Sequence, residues 1–213
     1  MKGVIRTVTI KDIPALLAIY APYVQNTAIT FEYEVPTEEE FRRRVERVLE
    51  KYPYLVAEID GEVVGYAYAS PFHVRPAYDW AVETTIYVRQ DRKKLGIGRA
   101  LYEALERFLK LQNILNVNAC IAYPEEEDEY LTKNSVCFHR HLGYEWVGEF
   151  HQNGFKFNRW YNTVWMEKHI GPHSEHPLPV RSYRDIVGEL RNEEGDILGY
   201  CAGEELLQSK KYG

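Results

Sequence analysis

The chain has 213 residues and a mass of 25.0 kDa, with 45% hydrophobic and 27% charged residues, a formal net charge of -6 and a pI near 5.7. Such a length supports one substantial core, and the composition argues against a disordered chain. The acidity argues against broad nucleic-acid binding, and no apolar run approaches the roughly 18–20 residues of a bilayer span. Cys120, Cys137 and Cys201 lack CxxC spacing and suggest neither a disulfide framework nor a zinc site. The opening MKGVIRTVTIKDIP has no leader-like apolar stretch, so the cytoplasm is the expected location.

The first run, VIRTVTI, alternates like a strand and stops at Thr9, a helix cap with Asp12 three residues on and Pro14 in the first turn. Ile13, Leu16, Leu17, Tyr20 and Val24 then recur at helical spacing. Pro36 and the capping box from Thr37 to Glu40 open a second helix, whose inner side is Phe41, Val45, Val48 and Tyr52. YLVAEIDGEVVGYAYAS places two strands around Asp60-Gly61, a pair suited to a type I′ hairpin turn. AVETTIYV reads as a strand and GRALYEALERFLK as an amphipathic helix through Leu101, Leu105, Phe108 and Leu109. NVNACIAY reads as a parallel strand, SVCFHRHLGY as a short helix closed by Gly143, and EWVGEFHQNGFKFNRWYNTVWMEKHI as two more strands. The fold class is therefore α/β, a mixed central sheet of about seven strands flanked by about four helices. Residues 1–170 form the domain. Residues 171–213, Pro- and His-rich and then polar, form a linker with an appendage that folds back or stays mobile.

One stretch departs from the acidic background. Residues 89–99 hold Arg89, Arg92, Lys93, Lys94 and Arg99 against a single Asp91, between a strand ending at Val88 and a helix starting near Gly98. A helix N-terminus presents unpaired amides and about half a positive charge, so this junction suits a small anion such as a diphosphate. Gly96 and Gly98 let the chain approach closely. The spacing fits neither GxxxxGK[ST] nor a three-glycine dinucleotide fingerprint, since Leu101 occupies the third glycine's place.

The segment TIYVRQDRKKLGIGRALYEALE resembles motif A of the GNAT acyltransferase superfamily, whose [QR]xxGx[GA] loop binds the pyrophosphate of acetyl-coenzyme A. Here the first position is Lys93, which keeps the charge without the planar fork of arginine. FEYE near Phe31, YPYLVAEIDGEVVGYAYASPF, RPAYDWAVETTIYV, FHRHLGY and NRWYNTVWM resemble the phosphinothricin N-acetyltransferase branch, which also acylates methionine sulfone and sulfoximine. The resemblance implies a GNAT fold with a C-terminal extension, acetyl-CoA as co-substrate, no metal, and a homodimer. It implies coenzyme contacts from the main chain of Lys93, Lys94, Leu95, Gly96, Ile97, Gly98 and Arg99. The freed strand amides at Tyr87 and Val88 would add to them, with Asn134 beside Ser135 as a further ligand.

Acetylating an amine requires removing its proton, because an ammonium ion has no lone pair. Glu83, in a strand expected to be central, is the candidate base, or else half of a structural ion pair. His139 lies where the resemblance puts a donor to the leaving sulfur, and otherwise is a packing histidine. Arg75 suits an acceptor's carboxylate or phosphinate, or is a solvated loop residue. Phe31, Tyr78 and Trp160 either wall the acceptor pocket or belong to the core. Cys120 is expected to be buried and inert, so transfer would be direct. The function expected is an acetyl-CoA-dependent N-acetyltransferase for a small amino-acid-like amine, with no nucleic-acid or membrane partner. A non-catalytic acyl-CoA sensor and a protein-amine acetyltransferase stand as alternatives.

Overall fold

Alternation of side chains along the early strands sets up two helical layers. The computed structural model describes residues 3–190 and 196–201. In it β1 (Gly3–Thr7), β2 (Tyr54–Ile59) and β3 (Glu62–Pro71) form an antiparallel meander. Leu55 and Ala57 point to one face and Tyr54 and Val56 to the other, so the sheet is buried on both sides. The Asp60-Gly61 turn takes the predicted left-handed geometry, with φ of 51° and 85°.

Helices α1 (Ile13–Asn26) and α2 (Glu38–Leu49) cover the Tyr54 face through Leu16, Tyr20, Tyr23, Phe41 and Val45. The predicted capping boxes are both present: Thr9 N donates to Asp12 at 2.7 Å and Thr37 N to Glu40 at 2.9 Å. Helix α3 (Ile97–Leu111) covers the opposite face with Leu101, Leu105, Phe108 and Leu109, none more than 1% exposed. Beside it lies α4 (Asn134–His141). The remaining strands are β4 (Ala81–Val88), β5 (Asn116–Tyr123), β6 (Glu145–Lys156) and β7 (Arg159–His169). With the predicted element order reproduced, the sheet reads β6-β7-β5-β4-β3-β2-β1, and an eighth strand, β8 (Asp196–Cys201), pairs with β1 at the far edge.

The acidic PEEEDEYLTK stretch is held by polar contacts: Asp128 accepts from the Tyr130 and Leu131 amides, Arg159 pairs with Asp128 and Glu129, and Leu131 is buried. The segment after β7 folds back and joins the main core. Tyr183 and Ile186, in the short helix α5 (Tyr183–Ile186), pack with Phe108 and other α3 residues. Trp80 Nε1 donates to the Leu178 carbonyl at 2.8 Å, and Asn113 Nδ2 to that of Pro179 at 2.8 Å. The end of the appendage, residues 202–213, lies outside the described residues.

Gln112 fastens this strap. Fully buried, its Nε2 donates to the carbonyls of Lys51 (2.7 Å) and Arg181 (2.8 Å), joining the approach to β2, the end of α3 and the C-terminal segment. Gln112→Leu removes both donations at a buried site and should destabilise the fold by about 1–3 kcal/mol. Urea unfolding should show a lower midpoint at unchanged m value; an unmoved midpoint would show that the strap holds without this side chain.

Candidate active site

β4 and β5 run parallel, and their pairing covers only Ala81 with Asn116, Val82 with Val117, and Glu83 with Asn118. Both strands continue, to Val88 and Tyr123, without pairing to each other. The ladder stops where a side chain takes over: Thr84 Oγ1 donates to the Asn118 carbonyl at 3.1 Å and accepts from Tyr144 Oη at 2.9 Å. Beyond this point the strands part around a small cavity lined by Thr84, Thr85, Ile86, Tyr87, Cys120, Tyr102 and His139, among others. The expected splay near Tyr87 and Val88 is therefore present. The Val88 carbonyl is taken by Tyr23 Oη at 2.5 Å, and the Tyr87 ring packs edge-on against Tyr20 and Tyr23.

The basic loop follows directly. Gly96 precedes α3 with φ of 78°, and Lys94 also takes a left-handed φ of 63°. The first amides of α3, from Ile97 to Arg99, have no carbonyl within the helix to bond, and they form the anion-accepting end. The side-chain charges are less available than the sequence suggests. Arg89 pairs with Glu62 (3.1 Å) and Asp91 (2.8 Å), and Arg99 with Glu103 (3.1 Å). Lys93 lies over the Tyr23 ring at 5.1 Å, and Lys94 is exposed. Gly98 has a second reason to be glycine: a Cβ there would meet the Phe138 ring at 3.0 Å, so it also sets the contact between α3 and α4. Asn134 opens α4 as an exposed residue, while Ser135 behind it lines the cavity.

Glu83 is the last residue of β4 paired with β5. It is half-buried, its side chain has no hydrogen bond or ion pair among the described residues, and its carboxyl is pushed above the usual range by burial. The structural-ion-pair reading of Glu83 thus lacks its partner. On the opposite side of this boundary from the split lies a larger cavity of about 900 Å³, walled by Phe72, Tyr78, Trp80, Asn118, Trp165 and Glu167 with neighbouring residues. Ala81 and Asn118 border the large cavity, Thr84 and Thr85 the small one, and Glu83 stands between.

Of the other predicted residues, Tyr78 lines the large cavity. Arg75 sits exposed on the same loop, ahead of the turn at Pro76–Tyr78, and does not line it. Phe31 fills the space above Gly154 and stacks near Tyr161 at 6.4 Å. Trp160 is 60% exposed beside Phe155 at the β6–β7 turn. Neither Phe31 nor Trp160 borders either cavity: the hairpin carries Trp160 past the end of β5, and Phe31, between α1 and α2, packs on Gly154 of that hairpin. Cys120, expected to be buried, is exposed instead, since the parting of the strands uncovers it. Atoms crowding the cleft and the Glu83 charge push its thiol up to about 12, so it stays protonated.

Tyr102 is the residue that sequence reasoning missed, because it lies among the apolar residues of α3. His139 Nδ1 faces the Ser135 carbonyl at 2.8 Å, an acceptor only, so Nδ1 carries the proton. Nε2 then accepts from Tyr102 Oη at 3.1 Å. Burial pushes His139 down to about 4, so the pair is neutral at physiological pH and places a phenol at the cavity wall.

The Acetyltransferase (GNAT) domain model matches residues 5–165. Phosphinothricin N-acetyltransferase of Streptomyces viridochromogenes is 34% identical over 183 residues, covering 86% of this chain and 94% of that protein. L-methionine sulfoximine/L-methionine sulfone acetyltransferase of Pseudomonas aeruginosa is 33% identical over 175 residues, covering 81% and 97%. The crystal structure of a GNAT superfamily phosphinothricin acetyltransferase from Sinorhizobium meliloti in complex with AcCoA superposes with a TM-score of 0.75 at 32% identity. It covers 86% of this chain and all of that one.

The buried imidazole has a thermodynamic signature. A folded pKa near 4 against about 6.5 unfolded means that the unfolded chain binds the extra proton in this window. Stability should therefore rise with pH from about 4 to 6.5 and level off above, with His139 contributing on the order of 3 kcal/mol to the change. Chemical denaturation across this range should show a shallower slope for His139→Asn than for the parent; equal slopes would mean that His139 charges freely in the fold.

Proposed function

Because the chain belongs to the GNAT acetyltransferase family, we propose that it transfers an acetyl group from acetyl-CoA to the primary amine of a small, amino-acid-like acceptor by direct attack. The observation that carries this reading is the position of Glu83 where β4 parts from β5, between the split-strand cavity and a separate cavity large enough for an acceptor.

The groups present suit the coenzyme. The amides from Lys94 to Arg99, at the start of α3, would take its diphosphate, with Lys93 adding charge. The unpaired edge of β4 at Tyr87 and Val88 would lie along its arm, and Asn134 and Ser135 would border it from α4. Bound there, acetyl-CoA supplies a thioester at the point where β4 and β5 part.

On the acceptor side, Glu83 takes the ammonium proton, directly or through a water, and its burial-raised pKa suits that work near neutrality. Tyr102, whose hydroxyl donates to neutral His139, would give a hydrogen bond or a proton to the departing sulfur by turning its O–H away from Nε2. His139 acts by orienting it rather than as an acid. Cys120 stays out of the chemistry as a thiol, in keeping with sequential transfer. Arg75, on the loop above the acceptor cavity, needs only a rotamer change or a loop shift to meet an acceptor's carboxylate. Phe31 and Trp160 would reach the acceptor only by movement of their segments.

The reading extends to a cytoplasmic homodimer. The β6 edge and its hairpin expose Trp146, Val147, Phe150, Phe155 and Trp160, an apolar surface suited to a second copy. Among the described residues no helix is long and apolar enough to cross a membrane.

Glu83→Gln should lower kcat for amine acetylation by about 10²-fold or more, while calorimetric affinity for acetyl-CoA stays within about twofold. Full turnover in this variant would remove Glu83 from the chemistry. Tyr102→Phe should lower kcat by roughly 10-fold at unchanged coenzyme affinity, and an unaffected kcat would leave the phenol a packing group.

A further inference from the structure

We propose that the acceptor cavity is built for an amine that carries a second, cationic group, which lies against Glu167 and the ring of Trp165. This rests on the acetyltransferase reading above and adds the class of acceptor.

The register of the sheet supplies the geometry. Ser70 pairs with Glu83, Glu83 with Asn118, and Asn118 with Glu167, so these four side chains form one row across β3, β4, β5 and β7 on a single face. Strands lie about 4.8 Å apart, which puts Glu167 about 10 Å across the sheet from the candidate base, with Asn118 between them. Asn118 and Glu167 both line the large cavity. Trp165, two residues before Glu167 on the same face, meets Phe72 edge-on at 5.4 Å, and Phe72 packs with Tyr78 across the mouth.

The charge of the lining is one-sided. Its charged side chains are Glu149 and Glu167, with two imidazoles, His73 and His173, and no lysine or arginine among the described residues. Glu149 is already engaged, accepting from Asn162 Nδ2 at 2.6 Å. Glu167 is half-buried, and the groups facing it are His169, whose Nε2 approaches no closer than 3.9 Å, and Glu145, opposite it on β6. A half-buried carboxylate beside an electron-rich ring, on the floor of a cavity, attracts an ammonium or guanidinium and repels an anion. His173, held at 2.7 Å from Asn116 Oδ1, closes the rim from the C-terminal strap.

In the step this site serves, the acceptor's first amine loses a proton toward Glu83 and its nitrogen bonds the acetyl carbon. The carbon–sulfur bond breaks, the electron pair leaves with the sulfur as a thiolate, and the thiolate takes a proton from Tyr102 Oη, which regains one from solvent. The second cation stays paired with Glu167 throughout and sets affinity rather than rate. It should therefore appear in KM and leave kcat nearly unchanged.

Lysine and norleucine have chains of the same length and differ by the terminal ammonium. At saturating acetyl-CoA the parent enzyme should use lysine with a kcat/KM at least 10-fold above norleucine and further above glutamate. Glu167→Gln should bring the lysine-to-norleucine ratio close to one through a raised KM for lysine. A parent enzyme that prefers norleucine or glutamate, or a Glu167→Gln variant that keeps the lysine preference, overturns the proposal and leaves the transferase reading standing. Acetyl-CoA binding by calorimetry with no acetylation of any of the three amines overturns both.

Discussion

The molecule depends on a ladder that ends early. Two parallel strands in the middle of a buried sheet would ordinarily pair along their whole length, since an unpaired backbone group inside a protein costs as much as a lost hydrogen bond. Here pairing ends after Glu83 and Asn118, where the Thr84 hydroxyl takes the Asn118 carbonyl, and the strands diverge. The divergence leaves main-chain groups of β4 open to a ligand, uncovers Cys120, and makes Glu83 the last side chain on firm scaffold before the gap. The anion-accepting start of α3 lies one loop beyond the same strand. In the proposed reaction a single strand and the turn that follows it would position cofactor arm, diphosphate and base.

Much of this was legible beforehand for definite physical reasons. The capping boxes at Thr9 and Thr37, the Asp60-Gly61 turn and the apolar stripe of α3 are local signals, and each appears where its residues predict it. Glu83 could be singled out because a carboxylate in a central strand needs a reason. Long-range facts were not legible. Nothing local says that Tyr102 and His139, 37 residues apart, share a hydrogen bond, or that Trp160 is carried away from the cleft by a long hairpin. The sequence also overstated the free charge of the glycine loop, because Arg89 and Arg99 have acidic partners, one of them on a different strand.

The two sides of the cleft differ in how they treat charge. On the side of the split the ionisable groups are kept neutral: burial pushes His139 down and holds the Tyr87 and Tyr102 phenols well above their ordinary range, while the crowded cleft and the Glu83 charge push the Cys120 thiol up. Toward the acceptor the cavity offers carboxylates and imidazoles around aromatic rings. Under the proposed mechanism a neutral wall would avoid competing for the leaving sulfur, while an acidic wall would concentrate ammonium ions close to the base. Recognition would then be separate from chemistry, since the groups that gather the acceptor would not be those that handle the proton.

The strand at the far end of the sheet has a bearing on self-association. β8 lies along β1, so β8 rather than β1 is the margin at that end of the sheet, and β6 is the margin at the other. A sheet with both margins open can add copies head to tail without limit. A contact that joins the same margin of two copies, β6 to β6, uses that surface on both and closes as a pair, whereas one that joins β6 of one copy to β8 of the next would run on into a filament.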